Sequence, residues 1–435
     1  MAIRFNNADG DFETAFEAFV TRDRAAGADI EGAVRDIIAR VRRGGLAALM
    51  DLTRRFDGFD LTPETLRVSR DEMDAAEAAC DKEDLKALDF AAARIRAFHE
   101  KQLPKDERFK DEAGLTLGWR WTSVDAVGLY APGGAAAYPS SVLMNAVAAK
   151  TAGVPRIAMA TPAPQGAINP LVLAAAKRAG VGEIYRIGGA QAIAALAFGV
   201  KGIAPVDVIA GPGNAYVAEA KRQVFGQVGI DSVAGPSEII VVADGANDPE
   251  WIAADLLSQA EHDPSSQSVL ITDDSAFADK VEAAAARQLK ENSRRAIAQA
   301  AWNDNSAVII VRSLINDAPA LVDAFAPEHL ELALDDPETM LAKIRHAGAI
   351  FLGRHAPEAI GDYVAGPNHV LPTARAARYA SGLSALDFMK RTSIIGADPA
   401  ALQRVGPAAA RLADVEGLPA HAHSVRVRLQ DQDRS

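Results

Sequence analysis

The sequence predicts an α/β protein with two parallel sheets, helices on their faces, and small, mainly helical segments at its ends. Two observations carry this. From Val124 to about Ser237, apolar runs of strand length alternate with helix-length segments, and glycine-bearing turns follow several of the runs. The same rhythm then resumes and continues to Leu352. Strands that alternate with helices pair in parallel and need cover on both faces, so each stretch describes one unit.

Residues 30 to 100 read as helices. Ile30, Val34, Ile37, Ile38 and Val41 recur at helical spacing, and Gly44-Gly45 ends that segment. A second apolar stripe, through Leu85, Leu88, Phe90, Ile95 and Phe98, reads as core. Leu115 to Arg120 alternates and predicts a strand or hairpin. The first unit has strands at 126–130, 156–160, 183–187 and 206–210, with helices at 142–152, 171–179, 190–198 and from Ala215. The second has strands at 238–243, 269–272, 307–311, 330–334 and 349–352. Its helices are one ending near Pro264, a long one from about Ala276 to Trp302, and a short one at 319–325 with its proline near the start. Beyond Tyr379 the rhythm is lost, and residues 380–435 read as a mainly helical tail.

Glycine turns at the carboxyl ends of strands are where such sheets bind ligands. Gly133-Gly134, Gly188-Gly189 and Gly211-Pro-Gly-Asn214 stand at such places. They could admit a pyrophosphate to backbone N–H groups, or serve only as tight turns. The G-x-G-x-x-G dinucleotide fingerprint is absent, so the units are Rossmann-like without it.

The chain of 435 residues is long enough for several domains, and its composition is that of an ordinary globular enzyme. A formal charge of −12 argues against nucleic acid or an anionic membrane as the main partner. The single Cys80 excludes an intrachain disulfide framework and a Cys-rich zinc site. No run reaches the length of a membrane span, so the expected location is cytoplasmic.

Seven of the eight histidines lie at or beyond residue 262, which puts ligand and proton chemistry in the second half. Gln259 and His262, three apart at a helix end, share a face and can offer a divalent metal two ligands. Glu328 beside His329 suits relayed proton transfer, although a capping Glu and a core His would read the same way. Asp362 and His369 fall in the Gly- and Pro-bearing stretch 361–370, which predicts a loop; a turn-forming Asp is the alternative for Asp362. His421 and His423 would point about 160° apart on a helix, so at most one reaches a given metal. Gln259, His262, Asp362 and His421 make a mixed N/O set that zinc, manganese or cobalt accepts.

At these residues the chain resembles the histidinol dehydrogenase family, which performs the last two oxidations of histidine biosynthesis. The likeness runs from about residue 30 to 429. It rests on Val127-Gly-Leu-Tyr-Ala-Pro-Gly-Gly-Ala-Ala-Ala-Tyr-Pro-Ser-Ser-Val-Leu-Met-Asn145, Gly188-Gly-Ala-Gln-Ala192, Ala210-Gly-Pro-Gly-Asn214 and Ala234-Gly-Pro-Ser-Glu238. Further on come Gln259-Ala-Glu-His262, Pro327-Glu-His329, Gly361-Asp362, Asn368-His-Val-Leu-Pro372 and Glu416-Gly-Leu-Pro-Ala-His421. Ala135, Ala136 and Pro419 depart from the family pattern, and Pro419 stiffens the approach to His421.

The resemblance implies one zinc per subunit on Gln259, His262, Asp362 and His421. It implies proton transfer by Glu328 and His329, and NAD contacts by Tyr130, Gln191 and Asn214. Ser237, His329, His369 and Glu416, with the metal ligands, would touch L-histidinol. The family is a homodimer whose sites are shared, with Glu416 and His421 reaching the other copy. The implied division is a 1–29 arm, a unit of 30–123 plus 237–379 with the metal and catalytic residues, a 124–236 unit, and a 380–435 dimerisation tail. Other readings are a relative oxidising another small alcohol such as a sulfonated diol, a zinc hydrolase, and a zinc-stabilised binding protein.

Overall fold

The computed structural model describes residues 2–22, 24, 30–133 and 138–430. Gly134, Ala135 and Ala136 of the first glycine turn lie outside the described residues. The strands are β1 Ile3–Asn6, β2 Glu107–Lys110, β3 Thr116–Ser123, β4 Ala126–Tyr130, β5 Arg156–Thr161, β6 Glu183–Arg186 and β7 Val208–Ala210. They continue with β8 Gly229–Ile230, β9 Glu238–Ala243, β10 Gln267–Thr272, β11 Ala307–Ile310, β12 His329–Ala333, β13 Ala349–Leu352 and β14 Met389–Gly396.

Two parallel sheets form, in the orders β6-β5-β4-β7-β8 and β1-β11-β10-β9-β12-β13. Apart from the edge strand β1, the two orders are the same. Each sheet starts at its centre, runs two strands to one side, then reverses to the other. Both are buried on two faces, so their strands are continuous apolar runs. In β9, Ile239 and Val241 join the core on one face while Ile240 and Val242 join the core on the other. A small antiparallel sheet, β14-β3-β2, completes the set.

Several expectations shift. Helix Ile30–Asp57 is broken at Gly45, whose φ +53° and ψ −137° are not helical, so the first helical segment ends at Gly44-Gly45 as expected and a second follows at once. Its Val34, Ile38, Leu49 and Leu52 pack with Ala158, Ile193 and Leu196, while Leu88, Ala91 and Ile95 pack with Val127 and Met159. The helices of residues 30–100 therefore cover the five-stranded sheet. Phe90 and Phe98 are exposed, because the buried stripe of helix Lys82–Glu100 is narrower than its apolar residues suggest.

The long helix expected from Ala276 is two helices, Ser275–Glu291 and Arg295–Asp304. Asn292 separates them, its Oδ1 accepting from the Arg294 N–H at 2.6 Å. Helix Leu314–Phe325 starts five residues before Pro319. Proline at 319 leaves the Ile315 carbonyl without its helical donor, and Lys343 Nζ takes that place at 3.0 Å. The N-terminal arm supplies β1 and helix Phe12–Val20, and the tail supplies β14 besides helices Pro399–Val415 and Pro419–Gln430.

The turn after β7 is held from beneath. Gly211 adopts φ +118°, and a Cβ there would lie 2.2 Å from the Tyr130 carbonyl oxygen, so only glycine fits. Its N–H donates to Asp231 Oδ2 at 2.8 Å, and its carbonyl accepts from Lys221 Nζ at 3.0 Å. Lys221 and Asp231 pair with each other, each side chain 2% exposed. Lys221→Met would strand both Asp231 and the Gly211 carbonyl. Its denaturation midpoint should fall by the equivalent of about 3–5 kcal/mol, the usual cost of breaking a buried pair; an unchanged midpoint would contradict this anchoring.

Candidate active site

The two sheets meet at a cleft of about 330 Å³. Pro132, Pro212, Gly213 and Asn214 approach from the carboxyl ends of β4 and β7, where the five-stranded order reverses. Ser237, Glu328 and His329 approach from the amino ends of β9 and β12, where the other sheet reverses. His262, Asp362, Tyr363, His369 and the start of helix Pro139–Thr151 complete the walls. Tyr138, Ser140 and Ser141 stand at that helix start.

Glu328 immediately precedes β12 and His329 is its first residue; both side chains reach the cleft at this strand end. One residue holds both. The Glu238 N–H donates to Glu328 Oε2 at 2.9 Å, and His329 Nδ1 donates to the Glu238 carbonyl at 3.0 Å. That contact puts the His329 proton on Nδ1 and leaves the Nε2 lone pair facing the cleft. Burial lowers the His329 pKa, with Asp362 opposing, so the ring is a neutral base. Burial raises Glu328 well above the usual carboxylate range, and Glu238, Asp362 and Glu358 add to it.

Asp362 lies on the short helix Glu358–Tyr363 rather than in a loop; the loop begins after it and carries His369. His369 Nδ1 donates to the Asp362 carbonyl at 3.0 Å, and its Nε2 accepts from Ser141 Oγ at 3.2 Å. Burial drives the His369 pKa down to about 4. Helix Pro249–Ala260 ends before His262, which sits in the following turn. The His262 N–H donates to the Gln259 carbonyl at 3.2 Å, so the pair stays close. Gln259 is fully buried, and both of its amide atoms lack a partner. An orphaned buried amide is costly, and a metal on Oε1 would satisfy it.

Glu358 was not anticipated. It is 1% exposed, accepts from Ser258 Oγ at 3.1 Å, and places Oε1 3.7 Å from His329 Nε2. His329, Glu358 and Asp362 offer ligand atoms within 4.8 Å of one another. Burial raises Glu358 to about 7, and burial joined by Glu358 raises Asp362 to about 7. Burial is the larger cause in each, and a divalent cation held by these groups would favour their ionised forms. The only sequence hint was spacing: Glu358 is one helical turn before Asp362.

The remaining candidates separate. Asn214 lines the cleft and caps helix Ala215–Val224, accepting from the Val217 N–H at 3.2 Å. Tyr130 and Gln191 are buried at the Gly188-Gly189 turn, where Tyr130 Oη accepts from the Gly189 N–H at 3.0 Å. Glu416 and His421 are exposed on the C-terminal helical hairpin and do not line this cleft. Pro419 is the first residue of helix Pro419–Gln430, a position that suits proline.

A sequence model of the histidinol dehydrogenase family matches residues 20–429. The chain is 60% identical to a Rhodospirillum rubrum histidinol dehydrogenase over 429 residues, covering 99% of each chain. It is 60% identical to one from Caulobacter vibrioides over 430 residues, covering 99% of this chain and all of that one. The crystal structure of an Elizabethkingia anophelis histidinol dehydrogenase superposes with a TM-score of 0.94 at 36% identity, covering 99% of each chain.

The raised Glu358 pKa predicts a pH dependence. The folded chain holds this proton up to about 7 and the unfolded chain only to the ordinary 4.5. The group's contribution is therefore full below 4.5 and lost as pH rises through 7. In metal-free protein, Glu358→Gln should lose less stability than the parent on that rise, by on the order of 3 kcal/mol at most. Melting temperatures across the range check this; parallel curves would contradict it.

Proposed function

We propose, from the premise that this chain belongs to the histidinol dehydrogenase family, that it is a zinc-dependent enzyme performing the NAD-linked four-electron oxidation of L-histidinol. The reaction would pass through L-histidinaldehyde to L-histidine, with water supplying the second carboxyl oxygen. The observation that carries this reading is the adjacent pair, a neutral His329 with Nε2 free and a Glu328 beside it, in one cleft. An alcohol oxidation and an aldehyde hydration each need a base; His329 Nε2 is one, and Glu328 would be the other once positive charge in the cleft favours its ionised form.

The residues fit a metal. Gln259 has an unsatisfied buried amide, His262 follows it in the turn, and Asp362 faces the same cleft. With the partner subunit's His421 they would hold one zinc per subunit. When bound, zinc would orient the substrate through its nitrogens, and NAD⁺ at the glycine turns with Tyr130, Gln191 and Asn214 would accept hydride. His329 Nε2 takes the alcohol proton as the carbinol carbon gives up hydride. Glu328 then takes a proton from water as its oxygen attacks the aldehyde carbon. His369, Ser237 and the partner subunit's Glu416 would grip the substrate, and enclosure would keep the aldehyde from escaping between steps.

The shared site is supported by position. Glu416 and His421 lie on a hairpin that also exposes Leu412, Val415 and Leu418, and such apolar exposure is characteristic of a covered surface. A cytoplasmic location belongs to the same proposal, on the strength of the biosynthetic role. Among the described residues no helix is long and apolar enough to cross a membrane. A sulfonated substrate fits less well, because no Lys or Arg lines the described cleft.

Glu328→Gln should keep the first oxidation and slow the second by about 10²–10⁴-fold, read as NADH formed from histidinol and from supplied histidinaldehyde. Equal loss in both would remove the assigned role. Mixed dimers of His329→Ala and Glu416→Ala protomers should regain activity that neither parent has; no regain would contradict shared sites.

A further inference from the structure

The catalytic pair depends on Glu238, whose backbone holds both side chains at once. Glu238 opens β9, beside β12 in the sheet, with His329 opposite Ile239. Its own carboxylate does not line the cleft; it turns the other way and is buried. There its Oε1 pairs with Arg24 and accepts from the Ala374 N–H at 3.2 Å. Arg24 belongs to the segment after helix Phe12–Val20, far away in sequence, and its Nη1 also donates to the Ser265 carbonyl at 3.1 Å. Both side chains of the pair are under a tenth exposed. Lone burial of either charge would be costly, so each accounts for the other.

We propose that the Arg24–Glu238 ion pair is a positioning device for the Glu328–His329 pair, which makes the N-terminal segment part of the catalytic apparatus. The inference rests on the acid–base roles given above. The pair pins the first residue of β9, and through its N–H and carbonyl fixes the Glu328 carboxylate and the His329 tautomer. It also sets the charge beside Glu328. Arg24 is the cation near it; Glu238, Glu358 and Asp362 are the carboxyl groups; His329, His262 and His369 are the imidazoles around the cleft. Loss of Arg24 would uncover the Glu238 charge and make Glu328 harder to ionise.

The test uses the full-length, zinc-loaded protein with Arg24→Met, Arg24→Lys, Glu238→Gln and the double variant Arg24→Met/Glu238→Gln. Each half-reaction is followed across pH by NADH formation, alongside melting temperature. Arg24→Met should slow aldehyde oxidation about tenfold or more and move its half-maximal pH upward by about one unit. Arg24→Lys should restore much of the rate, and the double variant should bring the pH profile back toward the parent. If Arg24→Met does not fold, the comparison of Arg24→Lys and the double variant with the parent still decides. Unchanged profiles, with both half-reactions falling only as the melting temperature falls, would overturn the proposal. A parent that oxidises no histidinol would instead overturn the function itself.

Discussion

Glu328, His329, Asp362 and His369 line one cleft, Glu358 is buried 3.7 Å from His329 Nε2, and the buried amide of Gln259 has nothing to bond. Water would stabilise those carboxylates far better than an apolar interior does. No Lys or Arg lines the described walls, so these carboxyl groups hold their protons to unusually high pH. A divalent cation and a cationic amino alcohol are the two additions that relieve this. The proposed zinc and the proposed substrate class both answer to this one arrangement of buried carboxyl groups.

The fold makes such crowding possible by using one strand order twice. The reversal in the five-stranded sheet opens a crevice at carboxyl ends, where glycine turns let backbone come close. The reversal in the six-stranded sheet opens at amino ends, where β9 and β12 begin side by side. Facing one crevice with the other puts the turn at 211–214 opposite Glu328 and His329. It also explains how Glu238 serves two neighbours at once: at a strand's first residue the N–H and the carbonyl are both still available to side chains.

Much of this was legible in the sequence because it rests on short-range signals. Strand periods, the glycine turns at 188–189 and 211–214 and the Glu328–His329 dipeptide each declare themselves within a few residues. What escaped depends on distance. Glu358 is an ordinary surface-type residue until the fold buries it beside Ser258 and His329. The apolar residues of 30–100 gave helices but not the sheet they cover, since either sheet offers the same kind of face. Pro319 marked a false helix start because a lysine from another helix's end supplies the donor it lacks. β1 and β14 are short or exposed strands that gain their pairing only from partners hundreds of residues away. Glu416 was assigned by resemblance alone and His421 as one of two candidate imidazoles, and a single chain leaves both on its surface.

The central claim is that one cleft, with one cation and two bases, carries an alcohol through an aldehyde to an acid without letting go. The most direct measurement is the number of NADH formed per L-histidinol consumed by the zinc-loaded protein, with the product identified. Two NADH and L-histidine are what the account predicts. One NADH with aldehyde released into solution would contradict it.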